Sequence, residues 1–370
     1  MPAHPLTVRE INRATLARQM LLAREPLSAI EAVERLFALQ AQWPRPPFVG
    51  LWTRIAGFER KHLTDLFVSR KVVRATFLRA TIHVMSARDF VTFRPTIQPA
   101  LEGAMRAILK ERLAAVDVPA LVKRARRILK KRPRTFEELR DEFLRADPTA
   151  DERAMGYAVR MLLPLVQVPE PVAAWAFPAQ ACFAPAEQWL DRKVPDTAAP
   201  PDRLLERYLA AYGPASAVDF QAWSGLARAA VRETVERLRP RLLRFQDEHK
   251  RELFDLEDAP RPGADVAAPI RFVPEYDNLV TARADERIVA RQHRPRVFLS
   301  ALRIAATVLM DGFAAATWKL QTTKKTAAIV IEPFGSLPAR LRGELTAEAE
   351  ALVRFSEPGA QVYDVKIVKS

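Results

Sequence analysis

The sequence predicts a mainly helical α+β fold with short β ribbons. Three observations carry this. Two helices followed by an apolar two-stranded run occur three times in succession; capping residues mark the helix starts; and after residue 260 the chain turns to β-branched alternation around Asp311-Gly312. Helix, helix and ribbon describe a winged helix, so the expected organisation is three tandem winged-helix units at 1–115, 116–195 and 196–260. A small β-rich, barrel-like domain should follow at 261–370.

In the first unit, Thr7 and Glu10 cap a helix expected to run to about Arg24. Ser28 and Glu31 cap a second, with Ile30, Val33, Leu36, Phe37 and Leu39 at helical spacing, until Pro44, Pro46 and Pro47 forbid continuation. Gln40 and Gln42, in Leu39-Gln-Ala-Gln-Trp-Pro44, then lie on its last turn or just beyond it. By spacing alone they also fit polar residues that satisfy frayed helix-end carbonyls. A short helix is expected over 48–55 and another over 61–69; the β-branched run Val72–Met85 reads as a hairpin.

The second unit follows a long helix over 96–115 and carries the densest positive run of the chain, Lys123 to Arg134. Such a run is equally a solvated helix face and a phosphate-binding patch. Helices over 135–146 and 151–163 precede an expected strand pair, 166–168 with 174–177. In the third unit Ser216 and Asp219 cap a helix, Ser224-Gly225 makes a turn, a helix runs from Ala227 to Arg239, and 241–246 with 252–256 form a ribbon. Beyond the connector at 258–269, residues 271–280 are expected as an apolar strand opening into a polar loop, followed by strands at 304–310, 313–320, 326–331 and 362–368, with one helix over 337–355.

Composition narrows function. With 58 basic against 44 acidic residues, the net charge of +14 favours a polyanionic partner, nucleic acid before membrane surface. No apolar run approaches the ~20 residues of a membrane span, and the first residues lack a signal-peptide layout, so a cytoplasmic, nucleoid-associated protein is expected. Cys182 is the only cysteine, and the five histidines stand at no metal-ligand spacing. Eleven glycines include no phosphate-cradling loop. No metal and no nucleotide cofactor is expected.

Leu39-Gln-Ala-Gln42, Leu78-Arg-Ala-Thr-Ile-His-Val84, Pro274-Glu-Tyr-Asp-Asn-Leu279, and Asp311-Gly-Phe with Thr317-Trp318 together resemble the winged-helix DNA glycosylase family typified by AlkZ and YcaQ. The resemblance covers nearly the whole chain. It implies three winged helices in a C-shape closed by a β-barrel, and removal of alkylated purines or unhooking of interstrand crosslinks. The family's catalytic motif, Gln, an apolar residue, then Gln or Asp, falls on Gln40, Ala41 and Gln42 in the form similar to the AlkZ branch. Ala80 departs from the glycine of many members, which bears on wing packing rather than chemistry.

On this resemblance Gln40 and Gln42 are the catalytic pair: Gln42 positions a water, and Gln40 orients it or contacts the lesion. Arg79, Thr81 and His83 face DNA near the lesion, although His83 also reads as a satisfied histidine of the ribbon. Lys123, Arg124, Arg126, Arg127, Lys130 and Lys131 grip phosphates. Tyr276, Asp277 and Asn278 line the site or cap a strand end, and Trp43 reads as a packing residue before a stacking platform. The partner expected is damaged double-stranded DNA, bound by a monomer, since no dimerising coiled coil is evident. A non-catalytic winged-helix regulator is the alternative; a hydrolytic nuclease is disfavoured for want of a metal-ligand cluster.

Overall fold

The computed structural model describes residues 5–114, 116–282 and 285–368. Reciprocal capping boxes close several helix starts. Thr7 with Glu10, Ser28 with Glu31, Thr135 with Glu138 and Ser216 with Asp219 close reciprocally over the helices Val8–Arg18, Ala29–Leu36, Phe136–Leu144 and Ala217–Ser224. Each box satisfies backbone N–H groups that the first helical turn leaves unbonded. The prolines after Trp43 both stop one helix and start another. Pro46 and Pro47 sit in the first turn of Arg45–Trp52, where a missing N–H costs nothing, so this helix begins three residues earlier than expected.

Twelve strands are present among the described residues: β1 (Leu39–Gln40), β2 (Val72–Thr76), β3 (Ile82–Ser86), β4 (Leu165–Gln167), β5 (Phe183–Pro185), β6 (Leu243–Gln246), β7 (Glu252–Asp255), β8 (Arg271–Val273), β9 (Ala306–Met310), β10 (Phe313–Thr322), β11 (Thr326–Pro333) and β12 (Val362–Ile367). The first five make one sheet in the order β1-β3-β2-β4-β5. It runs without a break from the first expected unit into the second, through the pairing of Ala75 with Val166. The expected partner of β4, residues 174–177, is not a strand. Ala174–Ala176 is a tight turn with Trp175 at a φ of 60°, which lays the Trp175 ring under the Arg60 guanidinium at 3.7 Å and edge-on to Phe48 at 5.3 Å. β5 takes the vacant place.

Over the third expected unit the helix Ala217–Ser224, Gly225 at a φ of 75°, the helix Arg228–Leu238 and the ribbon β6–β7 follow one another in sequence. The C-terminal sheet runs β12-β11-β10-β9-β8 and is open, not a closed barrel. The 18-residue helix Ala339–Ser356 covers one face, packing Leu345, Leu352 and Val353 with Phe272, Ile329 and Ile331. A face already buried under a helix gains nothing from closure. Asp311 and Gly312 both take positive φ, 48° and 84°, as a two-residue hairpin turn requires, and the Asp311 carboxylate pairs with Arg9 at 2.6 Å and with Arg13.

Candidate active site

The helix Ala29–Leu36 ends at Phe37, whose φ of 67° turns the chain out of the helix. The Phe37 ring is fully buried against Phe93 (5.1 Å) and Trp223 (5.4 Å), and that burial holds the turn in place. The chain then extends as β1, with Leu39 opposite Val84 and Gln40 opposite His83. Both glutamines therefore stand clear of the helix, in strand and loop.

The Gln40 side chain is nearly buried, and its Oε1 accepts from Arg79 Nη2 at 2.9 Å. One residue on, Ala41 N–H donates to the Ile82 carbonyl at 2.7 Å. The Gln42 side chain is exposed, with Oε1 accepting from the Ile82 N–H at 3.0 Å, so it prolongs the β1–β3 ladder by one rung. A guanidinium and a main-chain N–H can only donate. Both amides are thereby oriented with oxygen inward and NH2 outward. Neither NH2 group has a partner among the described residues, and neither is sealed from solvent.

Arg79 organises the cluster. It sits at the turn between β2 and β3 with a φ of 53°, followed by Ala80 at 57°, a conformation glycine enters freely and other residues only under strain. This explains why a glycine suits the position of Ala80. From that turn the guanidinium points inward. Besides Gln40 it donates to Asn278 Oδ1 (3.0 Å), Thr281 Oγ1 (3.4 Å) and the Trp223 carbonyl (3.2 Å). Among the described residues no carboxylate pairs with it, and burial pushes its pKa down to about 10. It remains a cation at neutral pH.

His83 is fully enclosed, so the DNA-facing position expected of it is corrected. The strand pairing that places it opposite both Gln40 and Ala75 puts its ring inside the sheet's covered face. Its Nδ1 lies 3.2 Å from the Thr81 carbonyl, which fixes the proton there, and its Nε2 has no partner among the described residues. Burial, then the neighbouring Arg79 charge, pushes its pKa down to about 3. Thr81 is half-buried and donates to the Leu78 carbonyl at 3.0 Å.

Of the Pro274–Leu279 stretch, Pro274, Asp277 and Asn278 line one small pocket with Gln40, and Asn278 is tied to the glutamine cluster through Arg79. Its Nδ2 donates to the Ala38 carbonyl at 2.8 Å while its Oδ1 receives Arg79. Within that pocket the Asp277 carboxylate is committed to a two-pronged, buried ion pair with Arg54 (2.9 Å on each prong), and it caps the short helix Asn278–Thr281. Tyr276 is half-buried, with burial pushing its phenol up. Trp43 is 63 % exposed, against the packing role expected of it: Pro44 and the helix start at Arg45 carry the chain away before the indole can reach the core.

Sequence reasoning missed Arg74. In the middle of β2 it is 5 % exposed, donates to the Ala41 carbonyl (2.8 Å) and the Gln42 carbonyl (3.3 Å), and reaches the Gln167 side chain in β4. It holds the backbone between the two glutamines from behind. The signal was a lone arginine in the apolar run Val72-Val-Arg-Ala-Thr, since a buried cation needs a fixed set of acceptors.

Elsewhere, the helix Val118–Lys131 buries Leu121, Ala125 and Leu129 and exposes Lys123, Arg126, Arg127, Lys130 and Lys131, none of them ion-paired among the described residues. Arg124 is half-buried and donates to the Glu142 carbonyl. Among the described residues no hydrogen bond or ion pair links this helix to the glutamine cluster. Among the described residues no group of three His, Cys, Asp or Glu side chains could hold a metal ion, and no helix is long and apolar enough to cross a membrane.

No curated protein sequence matches the chain. Its fold is similar to that of the DNA glycosylase AlkZ of Streptomyces sahachiroi, with a TM-score of 0.79 at 19 % identity over 99 % of this chain and 100 % of that one. The family model for AlkZ-like DNA glycosylases matches residues 33–355, a span that takes in both glutamines, Arg79 and Asn278. The chain belongs to the AlkZ-like DNA glycosylase family.

Proposed function

We propose that this chain is a monofunctional DNA glycosylase that hydrolyses the N-glycosidic bond of purines made cationic by N7- or N3-alkylation. It works on double-stranded DNA as a monomer, through three tandem winged-helix units. The observation that carries the reading is the kind of groups gathered around Gln40 and Gln42: amides, a threonine, an arginine without a carboxylate partner among the described residues, and a histidine held neutral. An intact purine leaves the sugar as an anion and needs a proton donor. None of these groups supplies one: His83 is enclosed and neutral, and Asp277 is committed to Arg54. An alkylated purine needs no such donor, because the C1′–N9 electron pair cancels the charge already on the base. Water then adds at C1′ and its proton passes to solvent. Gln40 and Gln42 contribute position and local dipole. Among the described residues no lysine stands in the cluster, which supports simple hydrolysis over a Schiff-base route. Crosslinks joined through purine N7 carry the same charge and fall under the same chemistry.

The test is incubation with duplex DNA containing 7-methylguanine, measuring free base and alkali-labile abasic sites. Wild type is expected to release base. The double substitution of Gln40 and Gln42 by alanine should lower the single-turnover rate by a factor of about 100 or more with DNA binding retained. Binding without base release by wild type would favour a regulator over an enzyme.

A further inference from the structure

We infer that Gln40 acts as a hydrogen-bond donor to the lesion nucleotide, not as an acceptor that activates water, and that Arg79 is the positioning residue that makes it one. The inference rests on the glycosylase reading and assigns roles within it. Gln40 Oε1 is held at 2.9 Å by a guanidinium N–H, and that group has no lone pair to offer if the amide turns over. Flipping Gln40 would set its NH2 against a cation. The outward group is therefore the NH2, and the neighbouring charge polarises the amide and strengthens that donor.

Arg79 is itself fixed from three directions. Asn278 and Thr281 hold Nη2 from the C-terminal segment, and the Trp223 carbonyl holds Nη1 from the end of the helix Ala217–Ser224. Asn278 is locked in turn by the Ala38 carbonyl, one residue before β1. The loop that ends at Gln40 and the side chain that orients it are thus tied into one closed ring of hydrogen bonds. A donor so placed suits a purine ring nitrogen or exocyclic oxygen, where electron density gathers as the C1′–N9 bond breaks, or a phosphate oxygen beside it.

Glutamate in place of Gln40 separates the two roles, because a carboxylate keeps the acceptor and removes the donor. Single-turnover base release from 7-methylguanine DNA is expected to be no faster in Gln40→Glu than in Gln40→Ala. In Arg79→Lys, which keeps the charge but loses the planar fork, it should fall roughly tenfold with the KM for DNA little changed. Gln40→Glu running faster than Gln40→Ala would overturn the inference and leave the glycosylase reading intact. A second readout is independent of turnover. In nitrogen-15 spectra, the Gln40 side-chain NH2 signals, assigned by their loss in Gln40→Ala, should shift when abasic-site duplex is added to wild type. They should lose their fixed positions in Arg79→Gln, with melting temperature measured alongside. NH2 signals unmoved by DNA would overturn the donor role. Shifted signals in a protein that releases no base would instead sink the chemistry and keep the contact.

Discussion

At the scale of single residues, His83 yields a pH prediction whose sign is fixed by its burial. Its pKa falls from the ordinary 6.5 to about 3 in the folded chain, so between those values the unfolded state binds the extra proton. Its contribution is fully present above pH 6.5 and is lost as pH falls toward 3, at about 1.4 kcal/mol per pH unit. Urea unfolding of wild type and His83→Gln from pH 7 to pH 4 should show a steeper acid loss in wild type. No inflection in the pH–rate profile between pH 5 and 8 should vanish in that variant, because the ring does not titrate there. That Gln40 and Gln42 lie just beyond the helix capped by Ser28 was legible in the sequence. The direction of their amides was not, because it depends on a left-handed turn at Arg79 and on Asn278, which lies far along the chain.

Among elements, β2 shows why local pattern falls short. Its apolar run announces a strand, and the pairing of Val72 with Ser86 through Thr76 with Ile82 is the hairpin expected. The same run cannot say which strand lies on its other side. Here that neighbour is β4, and Arg74 spans the join by bonding the Ala41 carbonyl and the Gln167 side chain. Arg74→Met keeps the bulk of the stem and removes every donor, leaving two buried acceptors bare at about 1–3 kcal/mol each. We expect a loss of about 2–6 kcal/mol by urea denaturation, together with slower base release as the backbone at Gln42 loosens. The capping boxes and the Asp311-Gly312 turn were readable because their physics is confined to four residues. The strand partner of β4 and the open C-terminal sheet were not, since each is settled by a distant ring or helix that competes for the same apolar face.

For the whole molecule, the excess of positive charge becomes a statement about salt. Five cations on the helix Val118–Lys131, unpaired among the described residues, are free to displace counterions from a duplex. Replacing Lys123, Arg127 and Lys131 by alanine should weaken binding to damaged and undamaged duplex alike. The slope of log K against log salt should become shallower by up to about 0.9 for each phosphate no longer neutralised, measured by fluorescence anisotropy, and the single-turnover rate at saturating DNA should stay unchanged. Composition foretold the polyanion; it could not foretell which cations stand unpaired among the described residues.

The join between Ala75 and Val166 has a consequence for how the gene can be divided. A break in the polypeptide near residue 115, natural or engineered, would yield two fragments that each lack half of a common β-sheet. The N-terminal piece would keep both glutamines yet be deprived of the Gln167 side chain that anchors Arg74 behind them. Activity should then return only when the two fragments are mixed and reassemble, and never in the glutamine-bearing fragment alone.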